Sequence, residues 1–323
     1  MKSRLYLQQF LRALGLPTIA LVALTSTFAA PTNIFFTAFE PGQGYTTASN
    51  LVGQAGWMGE GSGGNGIVNE FITGQGQQAY IGYSAPAVGD DQLVAWQPLN
   101  FSPLAARLPV VKFSVLISIV DSTTNNNQFD NFRWSVYNTQ VDRLFSLDFN
   151  NYYTNINYLL DGTNTLVATG ISFASGANYT LFVTMNFASN RWSATLNNAL
   201  LATNQPITTT GAALNLGDID AVWLVYDTNA PGDNFMLFDN YHVTAEALPV
   251  PPAQMEFLRR TVEGWALLRV FGLDGSRWAV EGTTNLLNWS ALRTNVVSGI
   301  SFDVVDTTAA GLKQRYYRAR LVP

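Results

Sequence analysis

The 323-residue chain contains no cysteine and one histidine, and only 12% of its residues are charged. Each shortage removes a class of chemistry. Without cysteine there is no disulfide framework, no thiol nucleophile and no thiolate metal centre. With His242 alone, a histidine zinc site lacks ligands. A Ser-His-Asp triad would have to run through that residue, and no nucleophile-elbow glycine pattern accompanies it. His242 reads instead as a strand residue satisfied by a local hydrogen bond. Convincing helical periodicity is missing too. Apolar residues nevertheless make up 47% of the chain and aromatics 13%. Asn, Thr and Gly crowd the polar positions, as in an exported β protein and unlike a disordered one.

Residues 1–30 have the features of a secretory signal. Lys2, Arg4 and Arg12 lead an apolar run from Leu14 to Leu24, too short for a bilayer that needs about 20 residues. Small residues around Ala29 and Ala30 supply a cleavage site, and no later stretch is long and apolar enough to span a membrane. Removing those three cations from the 17 present leaves 14 against 22 acids, a net charge of −8. Binding to nucleic acid or to anionic lipid is therefore not expected. The compartment expected is extracellular, cell-surface or periplasmic.

The most informative stretch is Tyr179 to Leu201. Tyr179, Leu181, Val183, Met185 and Phe187 alternate onto one face, and Trp192, Ala194 and Leu196 repeat the alternation after Ala188-Ser189-Asn190. This predicts an antiparallel hairpin with one apolar face. Burial of a large apolar side chain contributes at best about 1.5 to 3 kcal/mol, while fixing each backbone residue costs about 1 to 2 kcal/mol. Such a hairpin needs neighbouring strands and a facing sheet, hence a β-sandwich.

The fold class expected is all-β: a large antiparallel jelly-roll sandwich over residues 31–246, a Pro-rich linker at 247–254, and a smaller β-sandwich at 255–323. Strands are expected at Asn33–Glu40, Ile67–Ile72, Gln78–Tyr83, Leu93–Phe101, Val110–Val120, Phe132–Asn138, Arg143–Asn150, Asn155–Leu160, Thr165–Ala168, Ala221–Tyr226 and Asn234–Ala245. Gly53 to Gly66 reads as loop. The small unit is expected to carry six strands between Met255 and Leu321.

Several residue strings carry a family resemblance. In the large unit these are Phe39-Glu40 ending the first strand, Leu51-Val52-Gly53-Gln54 with Gly56-Trp57, Arg191-Trp192-Ser193-Ala194, and Phe238-Asp239-Asn240-Tyr241 with Val243. Together they resemble the concanavalin A-like superfamily, in particular its laminin G-like jelly rolls. In the small unit, Trp278 to Trp289, Phe302 to Asp306 and Arg315 to Arg318 resemble a fibronectin-like C-terminal β module of exported bacterial proteins. The first resemblance implies glycan binding, calcium binding, or glycosidase or lyase activity, and so leaves function open. It also implies one structural calcium between Glu40 and Asp239, whose oxygen ligands suit that ion. No other cofactor is implied.

Aromatic side chains on loops stack on sugar faces, so Trp57, Trp134, Tyr152, Tyr153 and Tyr226 are candidate ligand-binding residues, with Asn126, Asn131 and Asp227 as polar neighbours. Among the aromatics Trp57, set between glycines, is expected to be the best exposed. A retaining glycosidase needs two carboxylates about 5 to 5.5 Å apart, and the nearest string is Asp218-Ile219-Asp220, read as solvated acids at a strand end. The leading expectation is an exported, non-catalytic protein that binds a polysaccharide or cell-surface glycan. The rivals are a jelly-roll glycoside hydrolase or lyase and a structural surface component.

Overall fold

A computed structural model describes residues 30–121, 129–248, 254–273 and 275–322. Residues 1–29, most of the Pro-rich run and Asn126 lie outside the described residues, so the expectations placed on them have no structural counterpart below. The chain divides into two compact units, Ala29–Leu248 and one that holds Pro249–Pro323. Each is built of antiparallel β-strands.

The large unit is a two-sheet sandwich. Its first sheet contains β1 (Thr32–Thr37), β3 (Asn65–Asn69), β4 (Gln77–Gly82), β6 (Val110–Val120), β11 (Asn178–Asn186), β12 (Arg191–Leu196), β13 (Ala199–Pro206) and β15 (Phe235–Glu246). The order is β13-β12-β11-β6-β15-β4-β3, with β1 also on β15. β1 covers Tyr241 to Ala245 of that strand and β4 covers Phe235 to Phe238, so the two share one edge in tandem. The second sheet contains β2 (Met58–Gly61), β5 (Gln92–Trp96), β7 (Asn131–Tyr137), β8 (Arg143–Asn150), β9 (Asn155–Leu160), β10 (Val167–Ser172) and β14 (Asp218–Leu224), in the order β10-β9-β8-β7-β14-β5-β2.

Period-two alternation decides what fills the space between the sheets. In the founding hairpin, Leu181 pairs with Leu196, Val183 with Ala194 and Met185 with Trp192, and all six are buried. Trp192 stacks on Phe145 of the opposite sheet at 4.1 Å. Trp57 and Trp134 also belong to this core. Trp57 packs on Phe39, Phe238 and Tyr241 and donates its indole N–H to Tyr45. Trp134 packs on Phe113 and Phe238. β2 and β13 were not expected. β2, Met-Gly-Glu-Gly, has no strand-forming composition and is held only by β5. β13 is an edge strand whose register with β12 shifts twice.

The small unit contains β16 (Gln254–Arg260), β17 (Ala266–Phe271), β18 (Arg277–Thr283), β19 (Ser290–Val296), β20 (Ser301–Asp306) and β21 (Tyr316–Leu321). They form two three-stranded sheets, β16-β17-β20 and β19-β18-β21. Leu268, Val270, Val280, Val304 and Tyr317 form the core. Asp306, fully buried, accepts hydrogen bonds from the Thr308 amide, Arg315 and the Tyr317 hydroxyl.

Candidate functional site

Strand register brings four loops of the large unit to one end of the sandwich. Phe235 pairs with both Gly82 and Val120, Leu224 with both Gln92 and Asn131, and Asn150 with Asn155. The β4–β5, β6–β7, β8–β9 and β14–β15 loops therefore leave their sheets side by side. All four are tied to two buried polar residues, Asp130 and Asn234.

The ties are specific. Asn234 Oδ1 accepts from the Asp130 amide at 2.9 Å and from Asn151 Nδ2 at 3.2 Å. Asn234 Nδ2 donates to Asp130 Oδ2 at 3.1 Å, and the Asn234 carbonyl accepts from the Tyr83 amide at 2.9 Å. Asp130 Oδ1 takes the Tyr226 amide at 2.9 Å, and its Oδ2 takes the Trp223 indole N–H at 3.0 Å. Both residues are fully buried, where unpaired polar groups would each cost about 1 to 3 kcal/mol. The network is thus able to fix four loops at once. A Cβ on Gly82 would collide with the Asn234 carbonyl, so glycine is required for this close approach.

Three of these loops carry exposed aromatic rings beside their ties, and the β6–β7 loop adds the half-buried Phe129. Tyr226 is 79% exposed, Tyr153 68%, Tyr152 64% and Tyr83 58%. Tyr152 packs edge-on against both Tyr153 and Phe129, at 4.8 and 5.7 Å. Tyr83 packs on Phe235 at 5.9 Å, and Phe235 in turn on the exposed Phe71 at 5.5 Å. Tyr83 is held at φ +74°, a left-handed conformation whose strain, of the order of 1–3 kcal/mol, persists only where surrounding bonds enforce it. Large apolar rings exposed on rigid loops suit binding of a flat, hydrogen-bonding ligand.

The structure sorts the expected site residues. Tyr152, Tyr153 and Tyr226 lie in this loop cluster. Asn131 opens β7 at the same end, half-buried, and Asp227 is half-buried with its carboxylate taken by the Asn229 amide. Trp57 and Trp134 are each only 2% exposed and are core residues, which corrects their assignment as ligand platforms. The glycines around Trp57 reflect tight turns rather than an open groove. Tyr83, Phe129, Asp130, Asn151 and Asn234 were not anticipated, because loop convergence depends on strand register.

A second cluster lies on the outer face of the second sheet. Asp218 and Asp220 alternate onto that face, opposite Tyr137 and Ser135 of β7. Asp220 is 5% exposed and its Oδ1 has no protein partner, so the reading of both acids as solvated is corrected. Burial, then the neighbouring Asp218, pushes its carboxyl up to about 9. Asp218 is raised by burial as well, and the two carboxylates influence each other from the same face. Tyr137, paired with Asp218, also lines a cleft of about 740 Å³ together with Asp142, Arg143, Asp161, Asn164 and Thr210, whereas neither Asp218 nor Asp220 lines it. Asp161 is spent structurally, its oxygens accepting from the hydroxyls or amides of Thr208, Thr209 and Thr210, which hold it well below the usual carboxylate range despite its burial.

Glu40 and Asp239 meet where β1 gives way to β4 along β15. Glu40 Oε1 accepts the Gln77 amide at 3.1 Å, and a Cβ on Gly76 would strike the same carboxylate. Asp239 is fully buried at a register shift, accepts the Asn240 amide, and is raised to about 6 by burial and by the charge of Glu40. The nearby Gln77 Oε1 is buried without a partner. Glu40 and Asp239 are hard oxygen donors of the kind a calcium ion takes, and both oxygens of Asp239 also accept from Asn240. Sequence reading could not add Gln77, since its approach depends on the tandem edge. His242 packs edge-on against Phe36 at 5.2 Å.

No protein-family model matches the sequence, and no curated protein matches it. Solved structures similar to it share its β-sandwich class. A protein of unknown function with a galectin-like fold from Bacillus subtilis is 11% identical, with 68% of this chain and 100% of that one covered and a TM-score of 0.43. Arcelin-5, a lectin-like defence protein from Phaseolus vulgaris, is 9% identical over 68% and 100%, with a TM-score of 0.41. A sialidase is 7% identical over 64% of this chain, which spans only 19% of the sialidase, with a TM-score of 0.43. Likenesses at this level carry no information on ligand or activity.

Proposed function

We propose that this is an exported, non-catalytic protein that binds glycans through the tyrosine loops of its large unit. The observation that carries the reading is the convergence of four loops on Asp130 and Asn234, three of them carrying exposed tyrosines. A pre-ordered aromatic surface loses little entropy on binding. The hydrolytic alternative gains little from Asp218 and Asp220, since Asp220 is almost fully buried and neither lines the cleft.

Within this reading Glu40, Asp239 and Gln77 hold one structural calcium, which would neutralise the two carboxylates and fix the junction of β1 and β4 on β15. The small unit serves as a fibronectin-like spacer or surface-retention module. That part of the reading draws on its β16-β17-β20 and β19-β18-β21 strand orders. A glycan array probed with the protein lacking residues 1–30, with and without calcium, tests the main proposal. Binding lost in Tyr152→Ala, Tyr153→Ala and Tyr226→Ala variants is the expected result. Absence of binding to any glycan under both conditions would overturn it.

A further inference from the structure

We infer that the ligand of the tyrosine loops is an uncharged polysaccharide held along its length, and that acidic glycans are excluded. This rests on the glycan-binding reading and adds the class of glycan. Two features of the loop end carry it, its charge and the extent of its aromatic surface.

The charge has one sign. Among the described residues of the β2–β3, β4–β5, β6–β7, β8–β9 and β14–β15 loops there is no lysine or arginine, while Asp90, Asp91, Asp121 and Asp227 lie there. The nearest guanidinium on β7, Arg133, sits on the outer sheet face and is committed to Asp148 at 2.8 Å. Proteins that select carboxylate or sulfate groups use arginine or lysine for paired, charge-assisted hydrogen bonds. Here an anionic sugar would meet fixed negative charge with no compensating cation, whereas a neutral sugar offers hydroxyls to the aspartates and C–H faces to the rings. Sialylated and uronate-containing glycans are thereby disfavoured.

The aromatic surface is long. One group, Phe129, Tyr152 and Tyr153, comes from the second sheet's side of the loop end. The other is Tyr83 and Phe235 on the first sheet's side, with Phe71 of the β3–β4 connection packed onto Phe235. Asn234 joins them, since its carbonyl holds the Tyr83 amide and its Oδ1 holds the amide of Asp130, the residue after Phe129. Two ring groups fixed on opposite sides of one buried residue present more surface than a single sugar covers. A chain lying across the end would touch both, so its length becomes part of recognition.

The test uses the protein lacking residues 1–30 and size ladders of neutral oligosaccharides, the cello-, xylo-, manno- and laminari- series from two to eight units. Oligogalacturonates, alginate oligomers and sialyllactose serve as acidic probes. Titration calorimetry at low and at moderate salt is expected to give at least a tenfold gain in affinity between the dimer and the hexamer of one neutral series. No acidic probe should bind. Phe71→Ala and Tyr83→Ala are expected to weaken the hexamer at least fivefold while leaving the dimer or trimer within twofold. Tight binding of an acidic probe, or neutral binding independent of length and of Phe71 and Tyr83, would overturn the inference and leave glycan binding standing. Silence from every probe overturns both.

Discussion

Asp218 and Asp220 share the outer face of β14, opposite Tyr137 and Ser135, and Asp220 is almost fully buried. Two like charges in that position cannot both be ionised at neutral pH, so a proton is kept between them. The raised Asp220 carboxyl means that the folded chain binds a proton the unfolded chain releases above about pH 4. The resulting stability is fully present below the unfolded value and is lost progressively as pH rises toward about 9. Asp220→Asn removes this dependence. The variant is expected to melt higher than the native protein at pH 8, by about 2 to 4 °C for each kcal/mol recovered, and no higher at pH 4. Calorimetric melts across that range check it; a gain independent of pH would contradict the shared proton.

The Asp130 carboxylate accepts three hydrogen bonds and offers none. Replacing it by asparagine turns one acceptor into a donor that faces other donors, at a cost of about 2 to 4 kcal/mol. Asp130→Asn is therefore expected to lower Tm and to speed amide exchange at Tyr83 and Tyr226 together. Faster exchange at Tyr226 alone would show that the loops are not tied through one point.

Core and loop aromatics should separate cleanly. Trp57→Ala is expected to cost about 3 to 5 kcal/mol in denaturant unfolding. Tyr226→Ala and Tyr153→Ala, in contrast, should stay within about 0.5 kcal/mol of the native protein and weaken glycan affinity about tenfold, or ~1.4 kcal/mol.

The calcium site proposed at Glu40, Gln77 and Asp239 would carry a pH signature. Since Asp239 is raised to about 6 by burial and by Glu40, protons compete with the ion as pH falls through that value. Added calcium is expected to raise Tm at pH 7.5 and to do so much less at pH 5. Asp239→Asn should abolish the increment, while Gln77→Ala should reduce it. An increment unchanged in Asp239→Asn would place the ion elsewhere.

Much of this architecture is legible from periodicity. The Val110–Val120, Arg143–Asn150 and Asn155–Leu160 strands were bounded correctly because alternation and turn residues agree there. β2 and β13 escaped, since their strand character comes from a neighbour's free edge rather than from their own side chains. At the site, Tyr152, Tyr153 and Tyr226 were readable as aromatics in polar surroundings. Trp57 was misread because flanking glycines mark a tight turn and an exposed loop equally well. The Asp130 and Asn234 pair, 104 residues apart, could not be found without register, and neither could the partnerless oxygen of Gln77.

The Asp130 and Asn234 pairing separates the display of side chains from the shape of the surface that displays them. Rings at positions 83, 129, 152, 153 and 226 project outward, while the backbone beneath them is set by bonds those rings do not make. Selectivity could thus drift, or be redesigned, by exchanging surface rings one at a time, whereas any change at the anchor would disturb every position at once.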